Sequence, residues 1–140
     1  MISSDLDVSI PDGSFTVIVG PNACGKSTLL RALSRLLKPA QGQIVLDGRD
    51  IVSYPAKELA RQIGILPQTS IAPDGITVAD LVSRGRFPHQ SLLRQWSRAD
   101  DDAVRSALRR TDVQDLSARL VDHLSGGQRQ RVWVAMALAQ

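Results

Sequence analysis

Gly20-Pro21-Asn22-Ala23-Cys24-Gly25-Lys26-Ser27-Thr28 places glycine, lysine and hydroxyl residues at the spacing G-x-x-x-x-G-K-[ST]. Residues of these types in this order do one kind of chemistry: they wrap a phosphate chain in backbone N–H groups. Gly20 opens the turn, and Gly25 lets the backbone approach a phosphate with no Cβ in the way. Pro21, Asn22, Ala23 and Cys24 complete the loop, with Cys24 read as a small residue that fits. Lys26 is expected to pair with the β- and γ-phosphates, and the Ser27 hydroxyl to ligate Mg²⁺. Thr28 is an additional contact to the α-phosphate. The competing reading is a glycine turn capping an ordinary helix. The fixed Gly-Lys-Ser triplet favours a nucleoside triphosphate.

The loop can act only if neighbouring elements hold it. Phe15-Thr16-Val17-Ile18-Val19 is β-branched and apolar, which predicts a buried parallel strand. Lys26 begins a helical spacing of Leu29, Leu30, Leu33, Leu36 and Leu37, stopped by Pro39 and Gly42. The loop therefore runs from a strand into a helix N-terminus, where unpaired N–H groups and the positive dipole end face an anion.

A second constellation is Leu124-Ser125-Gly126-Gly127-Gln128-Arg129-Gln130-Arg131. Ser125 is a good N-cap, and Gly126 and Gly127 leave bare N–H groups, so this helix start is also an anion site. Its plain alternative is a capped surface helix. Val132, Trp133, Ala135, Met136 and Ala139 are available for packing. Arg129 and Arg131 are expected to be solvated or paired with acidic neighbours.

Composition narrows the class. The chain has 140 residues, enough for one domain-sized core, and 43% are hydrophobic. Seventeen Lys and Arg against fourteen Asp and Glu give +3, which suits a polyanionic small ligand but does not argue for nucleic acid. One cysteine excludes an internal disulfide. No apolar run reaches the length of a membrane-spanning helix, and no signal peptide is visible, so a cytoplasmic protein is expected.

Along the chain, Leu6–Ile10 alternates as a β-region before a turn at Pro11-Asp12-Gly13. Gln43–Leu46, Asp47-Gly48 and Arg49–Ile51 read as a tight hairpin. Ala56–Gln62 is a short helix and Ile63–Gln68 a strand entering a loop. Thr77 with Asp80, and Ser97 with Asp100, read as capping boxes opening helices. Gly85–Gln95 reads as irregular, and Leu116–Leu120 as a short helix. The chain is mixed α/β before about residue 72 and all-helical after it.

Three motifs stand in order: the phosphate loop, Gln68 at a strand end, and Leu124–Gln128. In this the chain resembles the nucleotide-binding domain of ABC (ATP-binding cassette) proteins over its whole length. The resemblance implies an α/β fold, a P-loop NTPase (RecA-like) core over 1–72 with an all-helical subdomain over 73–140, its sheet incomplete. It implies ATP and Mg²⁺ as ligands, Gln68 near the metal and hinging the helical part, and a homodimer. In that dimer Ser125, Gly126, Gly127 and Gln128 of one copy meet the γ-phosphate held by the other. It further implies permease subunits as partners, hence a peripheral place on the inner face of the membrane. Arg84-Gly85-Arg86-Phe87-Pro88-His89-Gln90, with Leu66-Pro67-Gln68, narrows the likeness to ATPase subunits of iron importers of the ferric enterobactin type; the alternative is a surface loop. Such subunits never touch the iron complex, so His89 and His123 are not expected to be metal ligands.

Members of that family follow the signature helix with a strand ending in Asp-Glu, a D-loop and a switch histidine, and precede the first strands with an aromatic that stacks on adenine. After Asp122 this sequence has no acidic residue. The catalytic pair thus reduces to Lys26 and Gln68, without a general base, and turnover by this chain alone is doubtful. The competing reading is a nucleotide-binding or interaction module that does not hydrolyse; a soluble, non-transport ABC protein is a third.

Overall fold

A computed structural model of the protein describes residues 6–66, 71–90 and 96–140. Contacts group into two compact units, Met1–Tyr54 and Pro55–Gln140. The short helix at Ala56–Gln62 packs with the helical segments that follow it.

In the first unit the hairpin forms as its turn residues demand. β1 (Val45–Leu46) and β2 (Arg49–Asp50) pair antiparallel, with Val45 opposite Asp50 and Leu46 opposite Arg49. Asp47 and Gly48 both take positive φ (48° and 76°), the geometry of a two-residue turn that follows the strand twist. A 3-10 turn at Ile51–Ser53 follows, started by the Asp50 carboxylate accepting from Val52 N at 2.9 Å. Ile51 and Tyr54 are buried beneath it. The Tyr54 hydroxyl donates to Leu46 O (2.9 Å), and the Arg49 guanidinium lies 4.4 Å from the ring centre.

α1 (Lys26–Leu33) is one turn shorter than its leucine spacing predicts. Arg35 adopts left-handed φ of 57°. Leu36 N then reaches Arg31 O (2.8 Å) and Arg35 N reaches Ala32 O (2.9 Å), a Schellman closure with arginine at the usual glycine position. The Arg35 side chain explains this choice. Its Nη1 donates to Ile51 O (3.2 Å) and Tyr54 O (2.5 Å), so the helix end is fastened to the 3-10 turn.

Phe15–Val19 is not a strand here, and Leu6–Ile10 is not one either. Phe15 is 94% exposed and Val19 83%. A strand exists through its neighbour's hydrogen bonds, and the only sheet among the described residues is the two-stranded hairpin.

The second unit is helical, with α2 (Ala56–Gln62), α3 (Val78–Ser83), α4 (Arg98–Arg110) and α5 (Gly126–Ala139). Thr77 caps α3 by accepting from Asp80 N (3.2 Å), and its hydroxyl donates to the Asp80 carboxylate. The Asp100 carboxylate accepts from both the Ser97 N–H (3.0 Å) and the Ser97 hydroxyl (2.6 Å), fixing the start of α4. Val104, Ala107 and Leu108 then point inward at helical spacing. They meet Val78, Leu81 and Val82 of α3 and Val132, Trp133 and Ala135 of α5 in one core.

Three expectations are corrected. Arg84–His89 is a 3-10 helix continuing α3 rather than an irregular loop, because Gly85 allows it to lie directly on α5. The helix expected at Leu116–Leu120 is instead a 3-10 turn at Gln114–Leu116. Residues 119–121 then extend beside 76–78, where Val78 N bonds Arg119 O and Val121 N bonds Ile76 O (2.9 and 3.0 Å). Residues 63–66 form no ladder, and the rest of that expected strand, Pro67 and Gln68, lies outside the described residues. Among the described residues no helix is long and apolar enough to cross a membrane.

Candidate nucleotide site

The phosphate loop is a closed turn ending on α1. Ala23 and Gly25 both take positive φ (63° and 99°), which curls the chain tightly before Lys26. A Cβ at Gly20 would sit 2.9 Å from Cys24 Sγ, so the bare glycine lets the two sides of the loop approach. Leu29 N bonding Gly25 O at 2.9 Å is the first helical bond. The N–H groups of Lys26, Ser27 and Thr28 lie ahead of it and are left for an outside acceptor.

The Lys26 ammonium spans the loop. It donates to Gly20 O (2.9 Å) and Pro21 O (2.5 Å) and touches Cys24 Sγ (3.5 Å). An ammonium has three donors, and these contacts use them. A phosphate entering the loop must take over those donors. Its charged oxygens make the stronger acceptors. Cys24 and Ser27 are exposed at the same mouth.

The second group of sequence-predicted residues is also one local structure. Ser125 Oγ accepts from Gln128 N (3.3 Å), while Gln128 Oε1 accepts from Ser125 N (3.0 Å), a reciprocal capping box. The Gln128 side chain is thus occupied in building the helix start. A Cβ added at Gly126 or Gly127 would meet nothing within 4 Å. Among the described residues nothing requires glycine at those two positions, although glycine costs helix stability. They leave the approach to the α5 N-terminus open. Gln68, the third predicted residue, lies outside the described residues.

Sequence reading missed what holds the other end of α5. Arg86, expected in an irregular loop, has a side chain only 11% exposed. Its Nε donates to Asp100 Oδ1 (2.8 Å) and its Nη1 to Ala139 O (2.7 Å). Asp100 is buried, and its carboxyl is held down at about 2 by the Ser97 hydroxyl first and the Arg86 guanidinium second. Asp100 was legible as a capping residue, but its pairing with an arginine fourteen positions upstream leaves no local signal. Lys57 Nζ donates to Gln90 O (2.8 Å), Arg61 Nε to Pro88 O (2.9 Å), and the His89 ring contacts Gln140 O. Arg131 pairs at the surface with Asp112 (3.1 Å), while Arg129 reaches Asp122 O only at 3.5 Å.

The ABC transporter family model matches residues 3–140. The ferric enterobactin transport ATP-binding protein FepC of Escherichia coli (strain K12) is 55% identical over 139 residues, covering 99% of this chain and 51% of that protein. The petrobactin import ATP-binding protein FpuD of Bacillus anthracis is 51% identical over 140 residues, covering 100% of this chain and 51% of that protein. The chain spans about half the length of these curated relatives. Among solved structures, cbiO1 from Clostridium perfringens, part of the ABC transporter complex cbiONQ, superposes with TM-score 0.66 at 30% identity, covering 86% of this chain and 48% of that one.

Proposed function

The chain belongs to the ABC transporter family, and from that premise we propose that it is the ATP-binding part of an importer subunit for ferric siderophores. The observation that carries this reading is sequence identity above one half, across 99% or more of the chain, to proteins named for ferric enterobactin and petrobactin import.

In this reading Gly20–Thr28 cradles the phosphates of Mg-ATP. Lys26 gives up the carbonyls of Gly20 and Pro21 to hold the β- and γ-phosphates, and the N–H groups at the start of α1 complete the cradle. Mg²⁺ enters with the nucleotide. The exposed Ser27 hydroxyl supplies a hard oxygen beside the phosphates, as this ion prefers, and Gln68 is the second candidate ligand. Mg²⁺ is an ion that keeps several waters and takes most other oxygens from phosphate.

Ser125, Gly126, Gly127 and Gln128 serve a second copy of the subunit, contacting the γ-phosphate of ATP held by that copy. The open space at Gly126 and Gly127 supports this role, since another molecule can approach there. Residues 1–72 serve as nucleotide-binding core and 73–140 as helical subdomain. Dimerisation and hydrolysis then drive permease subunits, with the protein peripheral on the cytoplasmic face of the membrane.

The alternative reading is a module that holds nucleotide without splitting it. A fluorescent ATP analogue distinguishes the possibilities. The 140-residue chain is expected to bind it, and Lys26→Ala to weaken binding by roughly 10–100-fold as charge-assisted hydrogen bonds are lost. Equal binding by wild type and Lys26→Ala would remove the phosphate-loop reading. Lys26-dependent phosphate release would reject the non-hydrolysing alternative.

A further inference from the structure

We infer that Arg86 is a positioning residue for the signature helix α5, acting through the carbonyl at its far end. The inference rests on the dimer reading for its consequence but on geometry for its premise.

α5 is 14 residues long, about 21 Å at 1.5 Å per residue. Its N-terminal start carries Ser125–Gln128. Arg86 Nη1 donates to Ala139 O, in the last turn of α5, at 2.7 Å. The same guanidinium is fixed by Asp100 at 2.8 Å, and Asp100 is fixed by the two Ser97 bonds. Arg86 itself is carried on the 3-10 segment that Gly85 seats against Met136 of α5. Lys57 and Arg61 of α2 hold that segment from the other side. Besides its core packing and the contacts of Gln140 with His89 and Ile63, the last turn of α5 is therefore fastened by a chain of bonds from α2 and α4 through Arg86. A rigid helix tilted by about 5° at one end moves the other by roughly 2 Å over this length, and about 1 Å is enough to spoil an aligned phosphate contact.

Removing Arg86 alone would strand Asp100 as a buried unpaired charge and could unfold the unit. Two variants avoid this. Arg86→Lys keeps a cation beside Asp100 and a donor for Ala139 O. Arg86→Met with Asp100→Asn removes the Ala139 bond without stranding a charge. Phosphate-loop affinity is read with a fluorescent ATP analogue, ATP-dependent self-association by sedimentation, and hydrogen exchange at the amides of 126–129 and 136–140 by mass spectrometry. Affinity at the phosphate loop is expected to be unchanged in both. Self-association should weaken more than fivefold, and exchange in both segments rise more than fivefold, in the double variant and not in Arg86→Lys. A double variant that associates and exchanges like wild type overturns the inference, as does an Arg86→Lys that loses as much as the double. Should the unaltered chain not associate with ATP, the dimer reading fails by itself. Exchange then decides on Arg86: equal rates in the two variants reject it.

Discussion

Gly85→Ala tests whether the 3-10 segment truly lies on the signature helix. Gly85 lies outside the left-handed region, so alanine suits its backbone, and without a clash the change would stabilise by about 0.4–1 kcal/mol. The structure places a clash there. The new Cβ would fall 2.2 Å from Met136 O, 3.2 Å from Met136 C and 3.3 Å from the Ala139 Cβ. Backbone oxygen cannot rotate away, so the segment and α5 must part by about 1 Å to reach a tolerable contact. That displacement stretches the Arg86 to Ala139 bond from 2.7 Å to about 3.7 Å, beyond hydrogen-bond length. Overpacking costs about 1–3 kcal/mol and a lost charged hydrogen bond about 1.5–3. Because both losses come from one movement they overlap, and the expected total is about 3–4 kcal/mol. This is a large share of the roughly 5–15 kcal/mol typical of a domain. Urea unfolding followed by circular dichroism and tryptophan fluorescence reads it, with Gly126→Ala as control because a Cβ there meets open space. A loss below about 1 kcal/mol for Gly85→Ala would mean that the close seat on α5 does not exist.

Ser125→Ala removes the acceptor for Gln128 N and should cost about 1 kcal/mol in urea unfolding, with Gln128→Ala costing no more than that because the two bonds share one box. Asp100 makes stability depend on acid. Its folded carboxyl titrates at about 2 against an ordinary 3.8, so the native state favours the ionised form. Its stabilising contribution is complete above about pH 5 and is lost as pH falls through 3.8 toward 2. Melting temperatures measured from pH 6 to 2.5 should fall less steeply in Asp100→Asn than in wild type; parallel curves would show that the Arg86 and Ser97 bonds do not form.

The sequence by itself determined several features that depend on neighbours along the chain. The phosphate loop, the Asp47-Gly48 turn, helix α2 and the caps at Thr77, Ser97 and Ser125 were all legible, because each is a contact spanning two to six residues. The family was legible for the same reason: its motifs are short and locally spaced. Tertiary structure decided what depends on distant partners. Phe15–Val19 has strand composition, yet pairing needs a second strand, and the described residues offer none. The leucine spacing after Leu33 promised more helix, but Arg35 found carbonyls sixteen and nineteen residues away and ended it. Arg86 and Asp100 looked like loop and cap. Only folding brings the guanidinium to the carboxylate and to a carbonyl 53 positions on, because burying either charge requires the other.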